Sequence, residues 1–383
     1  MPEAAAAPRF NALESLAYAN GKPALEVSLK QSCSDFRVEE EIGFEFTGQG
    51  EHLYLQIAKT DLSTPEVARR LSEVSGVPRA AIGYSGMKDR RAETSQWFSL
   101  KLPVGQEASL AGFETSDLSI TQSRRNSRKL KIGSHRSNRF RIVLRGCVGE
   151  RRDFEARLAQ LESVGVPNYF GTQRFGRDLS NLHQVQAWMH ATLTGGDAGA
   201  IGRQRFKRGM LFSAARSYLF NELLSARVGQ GNWDSYLAGD VLNLDGTERS
   251  FALKSADEWD AELQRRLASF DIHITGPLPG ETDSKDKYVS YGKAADIEDA
   301  VCKQYATLLE GLRHFGVKAT RRPLRFRPQE LKWHWQTETN TNKKEGAETD
   351  GQAGNLILEF SLARGVYATS LLRELCVTRE HGQ

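Results

Sequence analysis

Two neighbouring segments near the N-terminus alternate apolar and polar residues with a period of two. Residues 34–42 alternate around Phe36, and residues 51–59 alternate around Leu55. A period of two is typical of half-buried β-strands, because successive side chains of a strand point to opposite faces. The Gly-Gln-Gly at 48–50 between them favours a turn. Strands with one buried face are therefore expected to begin the fold.

A helix follows the second strand, and the rest of the chain mixes helical and extended patterns. The helix ends at Gly76, and its N-cap is either Thr64, which precedes Pro65, or Ser63 in a capping box with Glu66. Helical patterns also cover residues 150–163, 182–192, 209–227 and 371–376. Further strands are expected from 138 onward and over 356–362.

Chain length bears on the number of domains. At 383 residues the chain exceeds the size at which one hydrophobic core stops growing, so two domains are expected. Residues 1–22 are expected to form a loosely packed arm. The polar stretch 336–354 is expected to form a flexible loop.

Several classes of protein are excluded by what the sequence lacks. The four cysteines are far apart, which favours reduced thiols over a zinc site or a disulfide framework. We find no signal-peptide pattern and no apolar run near the ~20 residues of a membrane span. Neither a dinucleotide-binding fingerprint nor a P-loop is present, so no nucleotide cofactor is expected. A cytoplasmic protein without membrane contact is the resulting prediction.

A basic segment at residues 121–145 stands out against a net charge of only +4. It contains nine arginines and lysines and no acidic residue. Such a run favours a surface that follows a phosphate backbone, and a solvated hairpin is the alternative. Four of its residues are candidate contacts to an RNA backbone: Arg124, Arg125, Arg128 and Lys129.

A glycine-punctuated loop at 83–94 presents one carboxylate, Asp89, between Lys88 and Arg90. Neighbouring positive charge favours the ionised carboxylate, which suits a nucleophile or an electrostatic stabiliser better than a general acid. On chemistry alone, a surface loop with ion pairs explains these residues as well.

The run Gly-x-x-Gly-Met-Lys-Asp-Arg-Arg-Ala-x-Thr at 83–94 resembles the active-site motif of the TruD family of tRNA pseudouridine synthases. Four further segments resemble family motifs and follow in family order: 36–40, 138–140, 168–176 and 367–375. Their order along most of the chain supports the resemblance more strongly than any single motif does.

The resemblance implies a reaction and a set of site residues. Asp89 would be the catalytic nucleophile, although the sequence leaves open whether it attacks the sugar or assists departure of the base. Lys30 would pair with Asp89, and Lys88 and Arg90 would contact the RNA backbone. The expected substrate-binding residues are Lys30, Phe36, Asn138, Phe140 and Tyr367. Among these, Phe140 would stack on the extruded uracil, Asn138 would bind its polar edge, and Tyr367 stands where the family pattern has Phe.

The resemblance also implies the fold and the partner. An α+β pseudouridine synthase domain with a largely antiparallel or mixed sheet would comprise 1–165 and 317–383, with an inserted α+β domain at 166–316. The substrate would be tRNA, modified at uridine 13 in the D-arm. Neither a metal nor another cofactor is needed for this isomerisation, and a monomer is the default expectation.

Two other functions remain open at this stage. A non-catalytic RNA-binding or RNA-remodelling protein could keep the same fold and basic surface, but it would have no need of the Lys88-Asp89-Arg90 carboxylate. A carboxylate-dependent hydrolase would need a second positioned acid, for which Glu39 and Glu93 are available.

Overall fold

The computed structural model describes residues 10–105, 110–196, 201, 204–247, 249–282, 288–336 and 354–379. The described chain divides into two compact units. Unit 1 comprises Met1–Lys22, Arg157–Arg327 and Tyr367–Glu374, and unit 2 comprises Pro23–Ala156, Pro328–Val366 and Leu375–Gln383. Among the described helices, none is long and apolar enough to cross a membrane.

The strands of unit 2 belong to one large sheet. They are β1 (Glu26–Ser28), β2 (Phe36–Ile42), β3 (His52–Thr60), β4 (Ile82–Tyr84), β5 (Glu93–Lys101), β6 (Leu118–Asn126), β7 (His135–Val148), β14 (Gln329–Gln336), β15 (Asn355–Ala363) and β16 (Val377–Arg379). The main path of the sheet runs β14-β15-β7-β2-β5-β3-β6. Neighbouring strands along it are antiparallel except β2 and β5, which are parallel.

The remaining strands are β8 (Val166–Pro167), β9 (Val241–Leu244), β10 (Ser250–Ala252), β11 (Ile272–Leu278), β12 (Thr320–Pro323) and β13 (Arg325–Phe326). Of these, β10-β9-β11-β12 form an antiparallel sheet in unit 1, and β13 pairs with β8. The described helices are α1 (Thr64–Ser75), α2 (Arg151–Val164), α3 (Ser180–Leu193), α4 (Arg205–Gly229), α5 (Ala261–Ala268), α6 (Gly292–Gln304), α7 (Ala306–His314) and α8 (Ala368–Leu375).

The helix α1 packs its apolar stripe on one face of the large sheet. Val67 and Leu71 are fully buried there in a cluster with Ile57 and Phe98 of the sheet. The N-cap is Ser63, whose hydroxyl accepts a hydrogen bond from the Glu66 amide. The alternative with Thr64 as the N-cap is therefore wrong. The predicted end at Gly76 is confirmed, because this residue adopts the left-handed conformation with φ 69°.

The core of unit 1 contains residues that the sequence assigned to a loosely packed arm. Leu13 and Leu16 are buried in this core with Tyr169 and Tyr218. Phe10 packs edge-on against Tyr218, with ring centroids 5.0 Å apart. The expectation of a loose arm is wrong for this stretch, because apolar side chains every three residues anchor it. Residues 1–9 lie outside the described residues.

The predicted α+β class with a largely antiparallel, partly parallel sheet is confirmed. The predicted loop 336–354 lies outside the described residues except at its two ends. The units differ from the predicted domain boundaries, since the stretches Met1–Lys22 and Tyr367–Glu374 fall in unit 1. Assignment of a catalytic and an inserted domain to these units stays a prediction.

Candidate active site

Asp89 lies in the loop between β4 and β5, and its carboxylate accepts a hydrogen bond from the Lys30 ammonium. The side chains of Lys30 and Asp89 are 22% and 30% exposed, so a substrate can reach both groups. A carboxylate that is paired with a lysine and open to solvent is available as a nucleophile.

Lys30 is held in an unusual backbone conformation. Its φ is 57°, in the left-handed region that residues with a side chain seldom adopt. Its ammonium lies 4.0 Å from the centroid of the Phe36 ring, at the start of β2. Strained positions of this kind cluster at functional sites, where the surrounding structure enforces them. The predicted pairing of Lys30 with Asp89 is present in the structure, and the contact of Lys30 with Phe36 was not predicted.

The backbone of the Asp89 loop is tied to α1 and β5 by buried polar side chains. The Lys88 amide donates to the Thr64 hydroxyl at 2.9 Å, and that hydroxyl donates to the Gln96 amide oxygen at 2.7 Å. Gln96 in turn donates to the Gly86 carbonyl at 3.2 Å. Thr64 and Gln96 are fully buried. The loop is therefore rigid on both sides of Met87.

Lys88, which the sequence analysis assigned to the RNA backbone, points inward. Its ammonium lies 2.7 Å from a Glu40 carboxylate oxygen, and these side chains are 6% and 0% exposed. The other Glu40 oxygen accepts a hydrogen bond from the Trp97 amide at 3.2 Å. Because the Lys88 ammonium is buried and paired with Glu40, little of its surface is accessible to a phosphate. We therefore assign Lys88 to the support of the loop, as a correction to the sequence-based role.

Lys59, near the end of β3, was missed by sequence reasoning. It is only 2% exposed, and its ammonium donates to the backbone carbonyls of Leu62 at 2.5 Å and of Asp89 at 3.1 Å. Burial lowers the pKa of Lys59 from 10.5 to about 8, although the nearby Asp89 charge raises it. The signal was present in the sequence, because position 59 continues the apolar face of Leu53, Leu55 and Ile57.

Three aromatic rings lie beside one another on β2, β7 and β15. Phe36 meets Phe140 edge-on with centroids 6.1 Å apart, and Phe140 stacks on Phe360 at 5.2 Å. Phe140 is 8% exposed, closer to a core residue than to an open stacking platform. On the same face of β7, the Asn138 side-chain oxygen is buried and accepts no hydrogen bond from any described residue. This oxygen can therefore still accept a hydrogen bond from a donor outside the described residues.

Tyr367 belongs to unit 1, whereas the other predicted site residues belong to unit 2. The Arg174 guanidinium donates a hydrogen bond to the Tyr367 hydroxyl. The centroids of the Tyr367 and Phe170 rings lie 5.8 Å apart. Arg322 lies 4.1 Å from the Phe170 ring and donates to the Asn168 side chain at 2.5 Å. Burial lowers the pKa of Arg322 to about 10. The segment 168–176 thus positions Tyr367 through Arg174 and Phe170.

The candidate RNA-backbone residues other than Lys88 differ in their surroundings. Arg124 and Arg128 are exposed, whereas Arg125 donates to the Leu102 carbonyl at 2.6 Å and Lys129 to the Ala80 carbonyl at 2.5 Å. Arg90 is 69% exposed beside Asp61, at 3.4 Å. Arg90, Arg124 and Arg128 are therefore exposed to solvent, whereas Arg125 and Lys129 are only partly exposed.

The two acids considered as the second acid of a hydrolase are Glu93 and Glu39. Glu93 lies 2.8 Å from Arg37. Glu39 is exposed on the strand face opposite Phe36 and Glu40, where it lines a charged groove with Arg37. Both acids thus lie beside Arg37, which gives no support to the alternative of a glycoside hydrolase. Within the described residues, no group of three or more His, Cys, Asp or Glu side chains could hold a metal ion.

Comparison with known proteins bears on this arrangement. A family model described as tRNA pseudouridine synthase D (TruD) matches residues 12–192 and 204–375. The tRNA pseudouridine synthase D of Aeromonas salmonicida is 39% identical over 372 residues, which cover 97% of both chains. That of Nitrosococcus oceani is 38% identical over 366 residues, 95% of this chain and 94% of its own. A crystal structure described as a putative TruD from Methanosarcina mazei matches the fold with a TM-score of 0.70 at 22% identity, over 95% of this chain and 96% of that one.

Proposed function

The chain belongs to the TruD family of tRNA pseudouridine synthases, and we propose that it converts uridine 13 in the D-arm of tRNA to pseudouridine. The sequence-based resemblance to this family is confirmed, and with it the assignment as an isomerase that forms pseudouridine in tRNA. The position of the uridine, the role of Asp89 and the binding residues are the further content of the proposal.

The reaction exchanges one glycosidic bond for another. In the proposed sequence an Asp89 carboxylate oxygen attacks C1′ of the ribose, and the bond from C1′ to N1 of uracil breaks with its electron pair on N1. The freed uracil turns, and C5 attacks C1′ and displaces the carboxylate. Loss of the proton from C5 and gain of a proton at N1 complete the isomerisation. Atoms and charge balance without a cofactor.

Lys30 is proposed to orient the nucleophile. Its ammonium holds the Asp89 carboxylate and lies over the Phe36 ring, and this pair of contacts would orient the carboxylate toward the sugar. The Asn138 acceptor would bind the uracil N3–H, and Phe140 would stack on the base. Tyr367 is proposed as a further contact, and Arg90 with the exposed arginines of the basic segment would contact phosphates.

The observation that carries the proposal is the partly exposed Asp89 carboxylate, which is paired with Lys30 beside the Phe36 ring. An RNA-binding protein without catalysis gains nothing from a carboxylate near phosphates, since the two anions repel one another. The monomeric state, the cytoplasmic location and the absence of a cofactor stay predictions.

The test replaces Asp89 by Asn, which keeps the shape and removes the negative charge. Turnover of a tRNA transcript under single-turnover conditions should vanish, while tRNA affinity stays equal or rises. The matched control is Asp117→Asn, since Asp117 is an exposed acid on the connection to β6. Measurable conversion by the Asp89→Asn variant would refute the nucleophile. Mapping of pseudouridines in tRNA from cells with and without the gene then tests the position, because loss at a site other than uridine 13 contradicts that part alone.

A further inference from the structure

Met87 is a large apolar side chain that the structure leaves in solvent beside the proposed nucleophile. It is 65% exposed, although methionine is among the residues most often buried. Single exposed apolar residues are common on protein surfaces and carry no meaning by themselves. Two features separate Met87 from such cases: its backbone is fixed on both sides, and it lies two residues from Asp89.

The fixed backbone follows from the hydrogen bonds of its neighbours. The Gly86 carbonyl accepts from Gln96 at 3.2 Å, and the Lys88 amide donates to Thr64 at 2.9 Å. The Lys88 ammonium is buried against Glu40 at 2.7 Å. The loop therefore cannot turn Met87 inward without breaking buried polar contacts, and its exposure is a property of the rigid loop.

The direction of the side chains follows from burial along the same loop. Met87 is exposed, Lys88 is 6% exposed and points into the sheet, and Asp89 is 30% exposed. This alternation places Met87 and Asp89 on the solvent side of the loop. Two residues of chain span at most roughly 7 Å, which is about twice the 3.4 Å rise between stacked bases. If the ribose C1′ of the extruded uridine lies at Asp89, the base step next to that uridine is therefore within reach of Met87.

Resting on the proposed function, we propose that Met87 enters the RNA base stack next to the target uridine and keeps that uridine extruded. Extrusion leaves a gap in the stack and costs a few kcal/mol of lost stacking and pairing. Apolar side chains, methionine among them, serve as wedges between base steps in proteins that distort nucleic acids. An unbranched thioether fits such a gap because it is flexible and makes favourable contacts with aromatic rings.

The experiment separates extrusion from chemistry. A tRNA transcript carries 2-aminopurine next to the target uridine, so that fluorescence rises when the stack opens. Asp89→Asn is the background, which removes turnover, and Met87→Ala and Met87→Leu are added to it. In otherwise wild-type protein the same variants are compared by single-turnover rate, with Val104→Ala as the control because Val104 is 76% exposed at a different loop.

Met87→Ala is expected to reduce the fluorescence rise and to slow the single-turnover rate by roughly tenfold or more, as for the loss of one stacking contact. Met87→Leu should retain most of both, and Val104→Ala should retain all. The melting temperature should not change, because the side chain is exposed. Equal rates for Met87→Ala and wild type would overturn the inference, as would a slower rate with an unchanged fluorescence rise. A wild-type protein that forms no pseudouridine would instead refute the proposed function.

Discussion

Replacement of Lys59 by Met tests the buried layer beneath the Asp89 loop. The ammonium of Lys59 is almost completely buried and donates to the carbonyls of Leu62 and Asp89. Methionine has a similar length and keeps the apolar stem, but it removes the charge and both hydrogen bonds. The pH dependence of stability and the rate of turnover should both change, for different reasons.

The size of the effect of the Lys59 charge on the free energy of unfolding follows from its pKa, which burial lowers from 10.5 to about 8. Each unit is worth 1.36 kcal/mol, so the charged form costs the folded state roughly 3 kcal/mol relative to the neutral amine. Between pH 8 and 10.5 the unfolded chain binds this proton and the folded chain does not. The free energy of unfolding therefore rises with pH through this window, and the gain is complete above it.

Lys59→Met also removes two hydrogen bonds, and this loss lowers the free energy of unfolding, whereas removal of the buried charge raises it. Each carbonyl left without its partner costs about 1–3 kcal/mol, so at pH 7 the two effects of Lys59→Met partly offset one another. The sharper quantity is the difference in free energy of unfolding between wild type and variant. It should grow by roughly 3 kcal/mol in favour of wild type from pH 7.5 to 10.5.

Urea denaturation at a series of pH values measures this difference, in which the tyrosines and cysteines common to both proteins cancel. Lys101→Met is the control, since Lys101 is 58% exposed on the neighbouring strand β5. A difference that stays constant with pH would refute the burial argument. Single-turnover assays at pH 7 should show a rate at least tenfold lower at unchanged tRNA affinity, because the Asp89 backbone loses its anchor.

Three other predictions address the remaining parts of the site. Phe140→Leu should fold well and turn over poorly, and Phe140→Tyr should keep most activity. If the activity of the Leu variant falls only in proportion to its melting temperature, Phe140 is a core residue. Lys88→Met should lower the free energy of unfolding by about 3–5 kcal/mol, because it leaves the buried Glu40 carboxylate without its partner. Adding Glu40→Leu should restore most of this loss, because no unpaired buried charge then remains. Alanine at the four candidate contacts of the basic segment should flatten the plot of log affinity against log salt by up to about 3.6. An unchanged slope would assign the segment to a solvated hairpin.

The strands were predictable because the period of two is a local property of the chain. Phe36 and Leu55 were expected on buried faces, and both are buried in the sheet. The limits of α1 depended on capping, and the two candidates Ser63 and Thr64 are adjacent and chemically alike. Only the geometry shows that the Ser63 hydroxyl accepts the Glu66 amide while Thr64 binds Lys88 and Gln96.

The buried charges were not predicted, although the sequence contained their signal. Glu40 follows Phe36 and Val38 on one strand face, and Lys59 follows Leu55 and Ile57 on another. A charge at the inward position of an alternating strand requires a buried partner, because an isolated one is too costly. That rule identifies such positions without naming the partner, since Glu40 with Lys88 and Lys59 with the Asp89 carbonyl are contacts between segments distant in sequence.

Three lysines converge on the Asp89 loop, and each holds a different group. Lys30 binds the carboxylate, Lys59 the carbonyl of the same residue, and Lys88 is bound by Glu40 beneath the loop. Only the first pair is open to solvent, so only there can a substrate replace one interaction by another. The two buried amines fix the backbone, and the proposed nucleophile on it would need little reorganisation when the uridine arrives. The costly burial of charge under this loop therefore has its explanation in the orientation of Asp89, and the loss of turnover without loss of tRNA affinity in Lys59→Met is the result that would show it.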